Sequence, residues 1–376
     1  MTAALLSAVG LAVPAGASAT STSRGPTVVV DGLNNPRQLA WGPDGSLLIA
    51  EAGRGSLHPG AGNCFTGPEG GDTCVGATGS ISKVTDPRHA SSTEAHRVVT
   101  GLISGAAPDG GQATGPDGVA YQDGGILVQE TWAPPDVLPK RGVPKWQLGK
   151  LLRASKHSKH AIADIAAVEL RENPDGTDVN PNPYAILPAG RHRTIVADAG
   201  GNDLVVADHG RARPLTVFPL HGCGGTFTDE CDGHSVPTSL AWGPGGAVYV
   251  GELAHFEPGE ARVWKVSPWT GRKLGWYGKG GTICRSDTTG FTTVTGVAFG
   301  RDGSLYVSEL MGGADGGGQV VRISPSCHRS VRSVPLPAGL VVDRHDNVYV
   351  SAFSISDGDG DGAGGIPPGQ VWRLRF

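Results

Sequence analysis

A short phrase that recurs six times constrains the fold of this chain more than any other feature. Each copy is rich in β-branched and aromatic residues, as buried strands are. In most copies an apolar strand and a turn rich in Gly, Asp or Asn precede the phrase, so the repeated unit is strand, turn, strand. Repeats of roughly 40–50 residues are typical of blades, so the sequence predicts an all-β, six-bladed β-propeller. The six copies are LLIAEAG (Leu47–Gly53), ILVQETW (Ile126–Trp132), TIVADAG (Thr194–Gly200), VYVGELA (Val248–Ala254), LYVSELM (Leu305–Met311) and VYVSAFS (Val348–Ser354).

The two ends of the repeat region complement each other. Thr27–Leu33 is an isolated strand that resembles the outer strand at Ala95–Leu102, whereas Gly369–Phe376 resembles the third strands of other blades. The last blade therefore lacks one strand, and Val28–Val30 can supply it. Such closure removes exposed edge strands, so we expect residues 27–376 to form one closed propeller domain.

Blade two carries the one expected departure from all-β structure. The blade is predicted to span about Ile103–Pro181, with its third strand near Gly149–Arg153. Apolar residues then recur with helical periodicity between Ala161 and Leu170, and Asn173-Pro174-Asp175-Gly176 is a stop signal. A short helical insertion is therefore predicted here. The Lys/His run Lys156–His160 before it is interpreted as a solvated loop.

The N-terminus resembles a targeting segment. An apolar run at Ala3–Val13 ends at Pro14, and Ala17-Ser18-Ala19 provides a small-residue cleavage site. We therefore predict a signal peptide over residues 1–19, a linker over 20–26 and a secreted, extracellular protein. The positive segment that normally opens a signal peptide is absent, so the true translation start is uncertain, and a disordered apolar tail is the alternative.

Six cysteines fit an oxidising compartment. Cys64 and Cys74 flank one Gly-rich loop, Cys223 and Cys231 flank another, and both pairs are predicted disulfides. Cys284 and Cys327 remain as a further candidate pair. A zinc site is the competing interpretation, but no C-x-x-C spacing supports it.

Composition and charge limit the partners. Only 18% of residues are charged and the net charge is −4, so no basic surface for nucleic acid is indicated. After the N-terminal segment, no apolar run is long enough to span a bilayer. We expect a monomer without a membrane span, whose partner is an unidentified small molecule or protein.

A carboxylate occupies the same place in five of the six phrases, and Ala352 replaces it in the sixth. Several oxygens that converge on an axis suit Ca²⁺, or could orient a water for hydrolysis or lyase chemistry. The alternative is structural, because an acid at a strand end can accept hydrogen bonds from backbone N–H groups of the next blade. The residue pattern favours the structural role and leaves both open. The five residues are Glu51, Glu130, Asp198, Glu252 and Glu309.

Two other segments are candidate binding elements. Asp357, Asp359 and Asp361 alternate with glycine, like the front half of a calcium loop, although Pro368 stands where a bidentate Glu belongs. Asn202 lies in ADAGGND (Ala197–Asp203), the most polar inner loop, which fits either a ligand contact or a structural turn. No G-x-S-x-G elbow is present, so no catalytic residue is assigned.

The chain resembles the ScyD/ScyE family of secreted proteins over nearly all of its mature length. The more distinctive shared segments are the Cys64 loop, the NPDG segment and ADAGGND, whereas the inner-strand phrases also resemble other NHL-like and TolB-like six-bladed propellers. The resemblance implies a propeller fold and export, and it supplies no established reaction. The quoted segments are NNPRQLAWGPDGSLLIAEAGRG (Asn34–Gly55), CFTGPEG (Cys64–Gly70), RVVTGL (Arg97–Leu102), DIAAVELRENPDG (Asp164–Gly176), NPYAI (Asn182–Ile186), VADAGGNDL (Val196–Leu204), VPTSLAWGPGGAVYVGEL (Val236–Leu253) and GQVWRLRF (Gly369–Phe376).

The leading functional hypothesis is a ligand-binding or scaffold protein that uses the loop face around the central channel. The alternative is a cation-dependent extracellular hydrolase, lactonase or lyase with its site at the channel mouth, which rests on analogy between folds. A third interpretation is a protein-interaction module on the outer blade edges. Ca²⁺ is the one cofactor that the sequence suggests.

Overall fold

A computed structural model describes residues 25–60, 62–66, 71–91, 93–138, 142–221, 233–355 and 367–376. The predicted signal peptide, most of the linker, the Cys223–Cys231 pair and the aspartates Asp357, Asp359 and Asp361 lie outside these residues.

In the described residues, 26 short strands form six sheets arranged in a ring, which confirms the six-bladed β-propeller. In chain order the strands are β1 (Thr27–Leu33), β2 (Pro36–Trp41), β3 (Leu47–Glu51), β4 (Cys64–Thr66), β5 (Asp72–Val84), β6 (Thr93–Glu94), β7 (Arg97–Ala106), β8 (Pro116–Gln122), β9 (Gly125–Glu130), β10 (Lys150–Ala154), β11 (Lys159–Asp164), β12 (Pro183–Pro188), β13 (Arg193–Asp198), β14 (Asp203–Asp208), β15 (Arg211–Val217), β16 (Pro237–Gly243), β17 (Ala247–Glu252), β18 (Val263–Val266), β19 (Lys273–Tyr277), β20 (Val294–Phe299), β21 (Leu305–Glu309), β22 (Gln319–Ile323), β23 (Arg329–Ser333), β24 (Leu340–Val342), β25 (Val348–Ala352) and β26 (Gly369–Leu374).

Each blade is an antiparallel sheet whose first strand lies innermost. Blade one is β2-β3-β5-β7 with β4 added to β5, blade two is β8 to β11, blade three is β12 to β15, blade four is β16 to β19, blade five is β20 to β23, and blade six is β24-β25-β26-β1. The repeated phrases form the second strands, and these are buried along their whole length in blades one, three, four, five and six. The cores lie between the blades, as hydrophobic clusters that combine residues of neighbouring sheets.

The ring closes as the sequence predicts. Strand β1 pairs antiparallel with β26 as the fourth strand of blade six, with Val28 opposite Trp372 and Val30 opposite Val371. The short strand β6 then pairs parallel with β1 and extends the sheet. The sequence did not predict this fifth strand, which covers part of the edge that β1 would otherwise leave open.

The helix of blade two exists but begins later than predicted. Residues 159–164 form β11, the outer strand of the blade, with Ala161 opposite Leu152. The α-helix α1 spans Ala166–Glu172 and ends where Asn173 adopts a left-handed conformation, with φ of 40°. Strand β11 is half exposed and has a bulge in its pairing, so its apolar residues do not alternate strictly and resemble a helical pattern. The prediction that blade two begins at about Ile103 was also wrong, since Ile103 belongs to the outer strand β7 of blade one.

Two predicted disulfides are present. Cys64–Cys74 joins β4 to β5, and Cys284–Cys327 joins the segment after β19 to the turn between β22 and β23. Disulfides of this kind are typical of proteins from oxidising compartments. In the described part of the chain, no helix has the length and apolar character needed to cross a membrane.

The described part of the chain also contains single-turn 3₁₀-helices at Lys145–Gln147, Pro244–Gly246 and Ala254–Phe256.

Candidate ligand-binding site

The five carboxylates of the repeated phrase occupy equivalent positions in blades one to five. Each ends the second strand and lies opposite the first residue of the innermost strand. These pairs are Pro36 with Glu51, Pro116 with Glu130, Pro183 with Asp198, Pro237 with Glu252 and Val294 with Glu309.

Three of the carboxylates accept a backbone hydrogen bond from the segment that enters their own blade. The N–H of Asn34 donates to Glu51 over 2.7 Å, that of Asn182 to Asp198 over 2.6 Å, and that of Thr292 to Glu309 over 2.7 Å. In blade four the hydroxyl of Ser235 donates to Glu252 over 2.7 Å from the same position. The acids therefore fix the entering chain of their own blade, whereas the sequence analysis expected a contact with the next blade.

Further bonds engage these acids outside the entering segment. Glu51 accepts a hydrogen bond from Ser82 over 2.6 Å and pairs with Arg97, and Glu252 contacts His221 over 2.9 Å. Gln319 donates to Glu309 over 2.7 Å. No three Asp, Glu, His or Cys side chains of the described residues are grouped so that they could hold one metal ion. A ligand contact by the carboxylate ring stays a prediction.

Glu130 of blade two differs from the other four. Its carboxyl is fully buried, and neither oxygen has a hydrogen-bond partner in the described structure. Burial raises the pKa of Glu130 well above its usual range, the nearby Asp117 carboxylate raises it further, and Lys159 opposes the shift. Burial therefore favours the neutral form of the Glu130 carboxyl.

Next to each carboxylate, the inner strand contains a bulge. The pairing register is irregular directly after Pro36, Pro116, Pro183, Pro237 and Val294. A bulge removes one residue from the ladder and redirects its side chain. In the five blades the residue at the bulge is Arg37, Asp117, Tyr184, Thr238 or Thr295.

Arg37 connects three parts of the ring through its guanidinium. It donates to the carbonyl oxygens of Ala113 and Ser354, and its Nε lies 3.4 Å from the Asp117 carboxylate. Burial raises the pKa of Asp117 to about 7, against the opposing effect of Arg37. Arg37 thus lies beside Asp117, whose carboxylate in turn raises the pKa of Glu130.

Gln38 spans the inner edge of the ring from blade one. Its Nε2 donates to the carbonyl oxygen of Thr238 in blade four over 3.0 Å and to that of Thr295 in blade five over 2.9 Å. The hydroxyl of Thr295 in turn donates to Pro337 of blade six over 3.0 Å. These bonds link the inner strands around the axis.

A second group of acids lies between blades two and three. The group, which we name the acid cluster, consists of Glu169 on α1, Asp198 at the end of β13 and Asp203 at the start of β14. All three are almost fully buried. The described residues provide no hydrogen-bond partner for either oxygen of Asp203 or for Oδ2 of Asp198.

Two glycines permit this close arrangement. A Cβ at Gly201 would lie 2.9 Å from Oε2 of Glu169 and 3.5 Å from Cγ of Asp198. A Cβ at Gly200 would lie only 1.7 Å from the carbonyl oxygen of Asn180. The Gly-Gly pair in ADAGGND therefore lets α1 and the segment after it approach the β13–β14 hairpin.

The electrostatics of the acid cluster favour its protonated forms. Burial raises the pKa of Asp203 well above its usual range, and the Asp198 and Glu169 carboxyls raise it further. Burial also raises the pKa of Glu169 to about 7 and that of Asp198 to about 6. Backbone N–H groups oppose both shifts, from Asn180 at Glu169 and from Asn182 at Asp198. Three ionised carboxylates buried together repel one another, so a cation bound among them would stabilise their charged forms.

Asn202 joins the NPDG turn to the acid cluster. Its amide Nδ2 donates to Asp175 over 2.7 Å and lies 2.6 Å from Nδ1 of His234. Nε2 of His234 lies 3.8 Å from Asp178. Of the residues that the sequence singled out, Asp198 belongs to the acid cluster and Asn202 directly precedes Asp203 of that cluster. Sequence reasoning missed Glu169, Asp203 and His234, although Asp203 ends the loop that it singled out.

Replacement of Asp203 by Asn is expected to stabilise the protein at pH 8 by about 1–4 kcal/mol, because it removes a buried carboxylate. In the unfolded chain Asp203 ionises near pH 4, but in the fold it holds its proton to higher pH. The native state therefore loses stability as the pH rises above about 4. The gain from Asp203→Asn should be absent at pH 4, which denaturant unfolding at both pH values measures.

Asp208→Asn is the matched control, because Asp208 lies on the same strand with its side chain 45% exposed. It should change the unfolding free energy by no more than about 0.5 kcal/mol at either pH. Equal stability of Asp203→Asn and the unmodified protein at pH 8 would contradict the expectation.

The solved structures that are similar to this chain over most of its length are those of propeller proteins. A Bacteroides thetaiotaomicron protein of unknown function matches 93% of this chain and 75% of its own, with a TM-score of 0.52 and 8% identity. A luciferin-regenerating enzyme matches 94% of this chain and 96% of its own, with a TM-score of 0.51 and 11% identity. Virginiamycin B lyase from Staphylococcus aureus matches 94% and 98%, with a TM-score of 0.48 and 11% identity.

At such low identities the likeness shows the fold alone. No protein-family model and no curated protein sequence matches the chain. The chain is therefore a six-bladed β-propeller, and its function has to be argued from its own residues.

Proposed function

We propose that this protein is a secreted ligand-binding protein of the ScyD/ScyE type, whose binding site is on the face where the carboxylates end the second strands. The proposal locates the ligand at the acid cluster. The observation that carries it is Asp203, whose buried carboxyl has no hydrogen-bond donor in the described structure. Buried polar groups are normally satisfied, so an acid without a partner among the described residues points to a ligand such as a cation.

The resemblance adds independent support for the location. NPDG and ADAGGND are among the more distinctive segments that this chain shares with the ScyD/ScyE family. They are separated in sequence, yet Asn202 of the second bonds to Asp175 of the first. A binding site would explain why both segments are polar where they meet.

The chemistry of the site favours a hard cation such as Ca²⁺. Carboxylate and amide oxygens are the ligands that Ca²⁺ prefers, and a cation would offset the cost of three buried carboxylates. Since the described acids are not grouped at metal-ligand spacing, binding has to draw their oxygens together or use bridging water. We therefore expect the cation to order the helix end, the NPDG turn and the hairpin.

Thermal melting with and without Ca²⁺ tests this proposal. After chelation and dialysis, Ca²⁺ at about 100 times its dissociation constant should stabilise the protein by about 2.7 kcal/mol. Asp203→Asn should lose most of this gain, whereas Asp208→Asn should keep it. Absence of a shift with Ca²⁺, Mg²⁺ and Mn²⁺ would rule out a cation site in the acid cluster.

The enzymatic alternative is favoured by one observation at the axis. The pKa of Asp117 is raised to about 7 beside Arg37, which suits a general acid or base near neutral pH. A panel of lactones and esters, offered to the cation-loaded protein of the same experiment, distinguishes the two functions. Turnover would identify a hydrolase, lactonase or lyase, and binding without turnover would support the ligand-binding role.

A further inference from the structure

A cleft opens on the opposite end of the blades from the carboxylates. It has a volume of about 660 Å³ and lies between blades five and six, beside the segment that follows β5. Asp302 and Asp346, in the turns between the first and second strands of these blades, contribute to its wall. The volume is within the range of small-molecule sites.

The cleft is rich in arginine. Arg88, Arg322, Arg373 and Arg375 line it together with His89 and His345. The four arginines come from three places in the chain, namely the segment after β5, strand β22 and residues 373–375, and His345 lies in the turn between β24 and β25. The fold therefore brings together cations that are far apart in the sequence.

The two aspartates of the cleft already have partners. Asp302 pairs with Arg322 over 2.8 Å and accepts two hydrogen bonds from Ser304. Asp346 accepts the backbone N–H of Arg301 over 2.9 Å. Among the described residues, neither aspartate forms an ion pair with the other three arginines of the cleft.

Those three arginines use few of their donors within the described structure. Arg88 contacts Nε2 of His345 over 3.2 Å, Arg373 donates to the carbonyl oxygen of Arg88, and Arg375 contacts Asn347 over 3.3 Å. A guanidinium has five N–H donors, so donors remain for a ligand. No carboxylate of the described residues forms an ion pair with any of the three. The Asp86 carboxylate pairs with His89 over 2.8 Å and interacts with the charge of Arg88 at longer range.

Aromatic rings complete the cleft. Tyr306 and Phe376 line it and contact each other edge to face, with ring centroids 5.4 Å apart. The guanidinium of Arg332 lies over the Phe376 ring, 5.2 Å from its centroid. The cleft thus combines guanidinium groups for an anion with ring surface for an organic ligand.

We propose that this cleft, which we name the arginine cleft, binds a phosphate or sulfate ester carried on a ring-containing small molecule. Tetrahedral oxyanions match the planar donor fork of arginine, and two guanidinium groups can bind one such group from different sides. The aromatic rings would contact the organic part. The site is separate from the acid cluster and takes a ligand of opposite charge.

Calorimetric titration at low ionic strength tests the proposal. The probes are inorganic phosphate, inorganic sulfate, glucose 6-phosphate and glucose 6-sulfate, with glucose as the neutral control. We expect the esters to bind, glucose not to bind, and the affinity to fall as salt is added. Tighter binding of one ester identifies phosphate or sulfate as the natural group.

The double variant Arg88→Gln and Arg375→Gln should weaken ester binding by about tenfold for each arginine. Arg191→Gln is the matched control, because Arg191 is 87% exposed and lies on blade three, away from the cleft. It should bind like the unmodified protein, and melting curves check that all variants fold. Absence of ester binding, or equal binding by the double variant, would overturn the proposal. The Ca²⁺ response of the double variant should be unchanged, so the two sites are tested separately.

Discussion

Val30→Asp is expected to destabilise the propeller by about 4–5 kcal/mol, a large share of the stability of a typical domain. Val30 is fully buried and lies opposite Val371 in the seam that closes the ring. An aspartate there would be a buried charge without a partner. Loss of β1 would also leave β26 as an open edge strand, so aggregation should accompany unfolding. Thermal melting and size-exclusion chromatography measure the two effects.

Val28→Thr is the control for this variant. Val28 lies on the same strand and is only partly buried, and threonine keeps the branched side chain. We expect a change of about 1 kcal/mol or less. If Val30→Asp melted like the unmodified protein, the seam between the two chain ends would not stabilise the ring.

The second strands and the ring closure were predictable because their physical signals are local. A buried strand between tight turns needs β-branched residues, which recur in every phrase, and turn residues such as Gly, Asp or Asn, which precede most phrases. The outer strands were harder. Half-exposed strands such as β11 carry a weak pattern, so the helix of blade two was predicted to begin too early.

The candidate site was predictable only in part. The five acids share a register, which the repeated phrase reveals, but their hydrogen-bond partners come from segments without a repeat, such as Ser82, Arg97 and His221. Four of the five bulged residues had a usable signal, because a proline at the start of the inner strand precedes Arg37, Asp117, Tyr184 and Thr238. That signal was overlooked.

The acid cluster and the arginine cleft show a different limit. Glu169 and Asp203 meet because α1 packs beside the β13–β14 hairpin, and Arg88 and Arg375 line one cleft because the ring closes. No residue spacing in the sequence predicts that the side chains of either site come together. Such sites depend on the path of the chain between blades, which the repeats do not specify.

Arg37→Met is expected to destabilise the protein by about 3–5 kcal/mol at pH 8, because it breaks a buried ion pair and leaves Asp117 without its counter-charge. It also removes the donor to the carbonyl oxygens of Ala113 and Ser354. The variant keeps a long apolar side chain, so lost packing contributes little. Denaturant unfolding measures the change.

A double-mutant cycle with Asp117→Asn separates the ion pair from the backbone contacts. If the pair dominates, Arg37→Met should cost about 1–3 kcal/mol less in the Asp117→Asn background than alone. The coupling should shrink at pH 4. Burial raises the pKa of Asp117 to about 7, so at pH 4 its carboxyl is neutral in the fold with either Arg or Met at position 37. Additive effects at both pH values would instead mean that Arg37 stabilises the ring through the two carbonyl oxygens, and that the Asp117 charge is balanced by other groups.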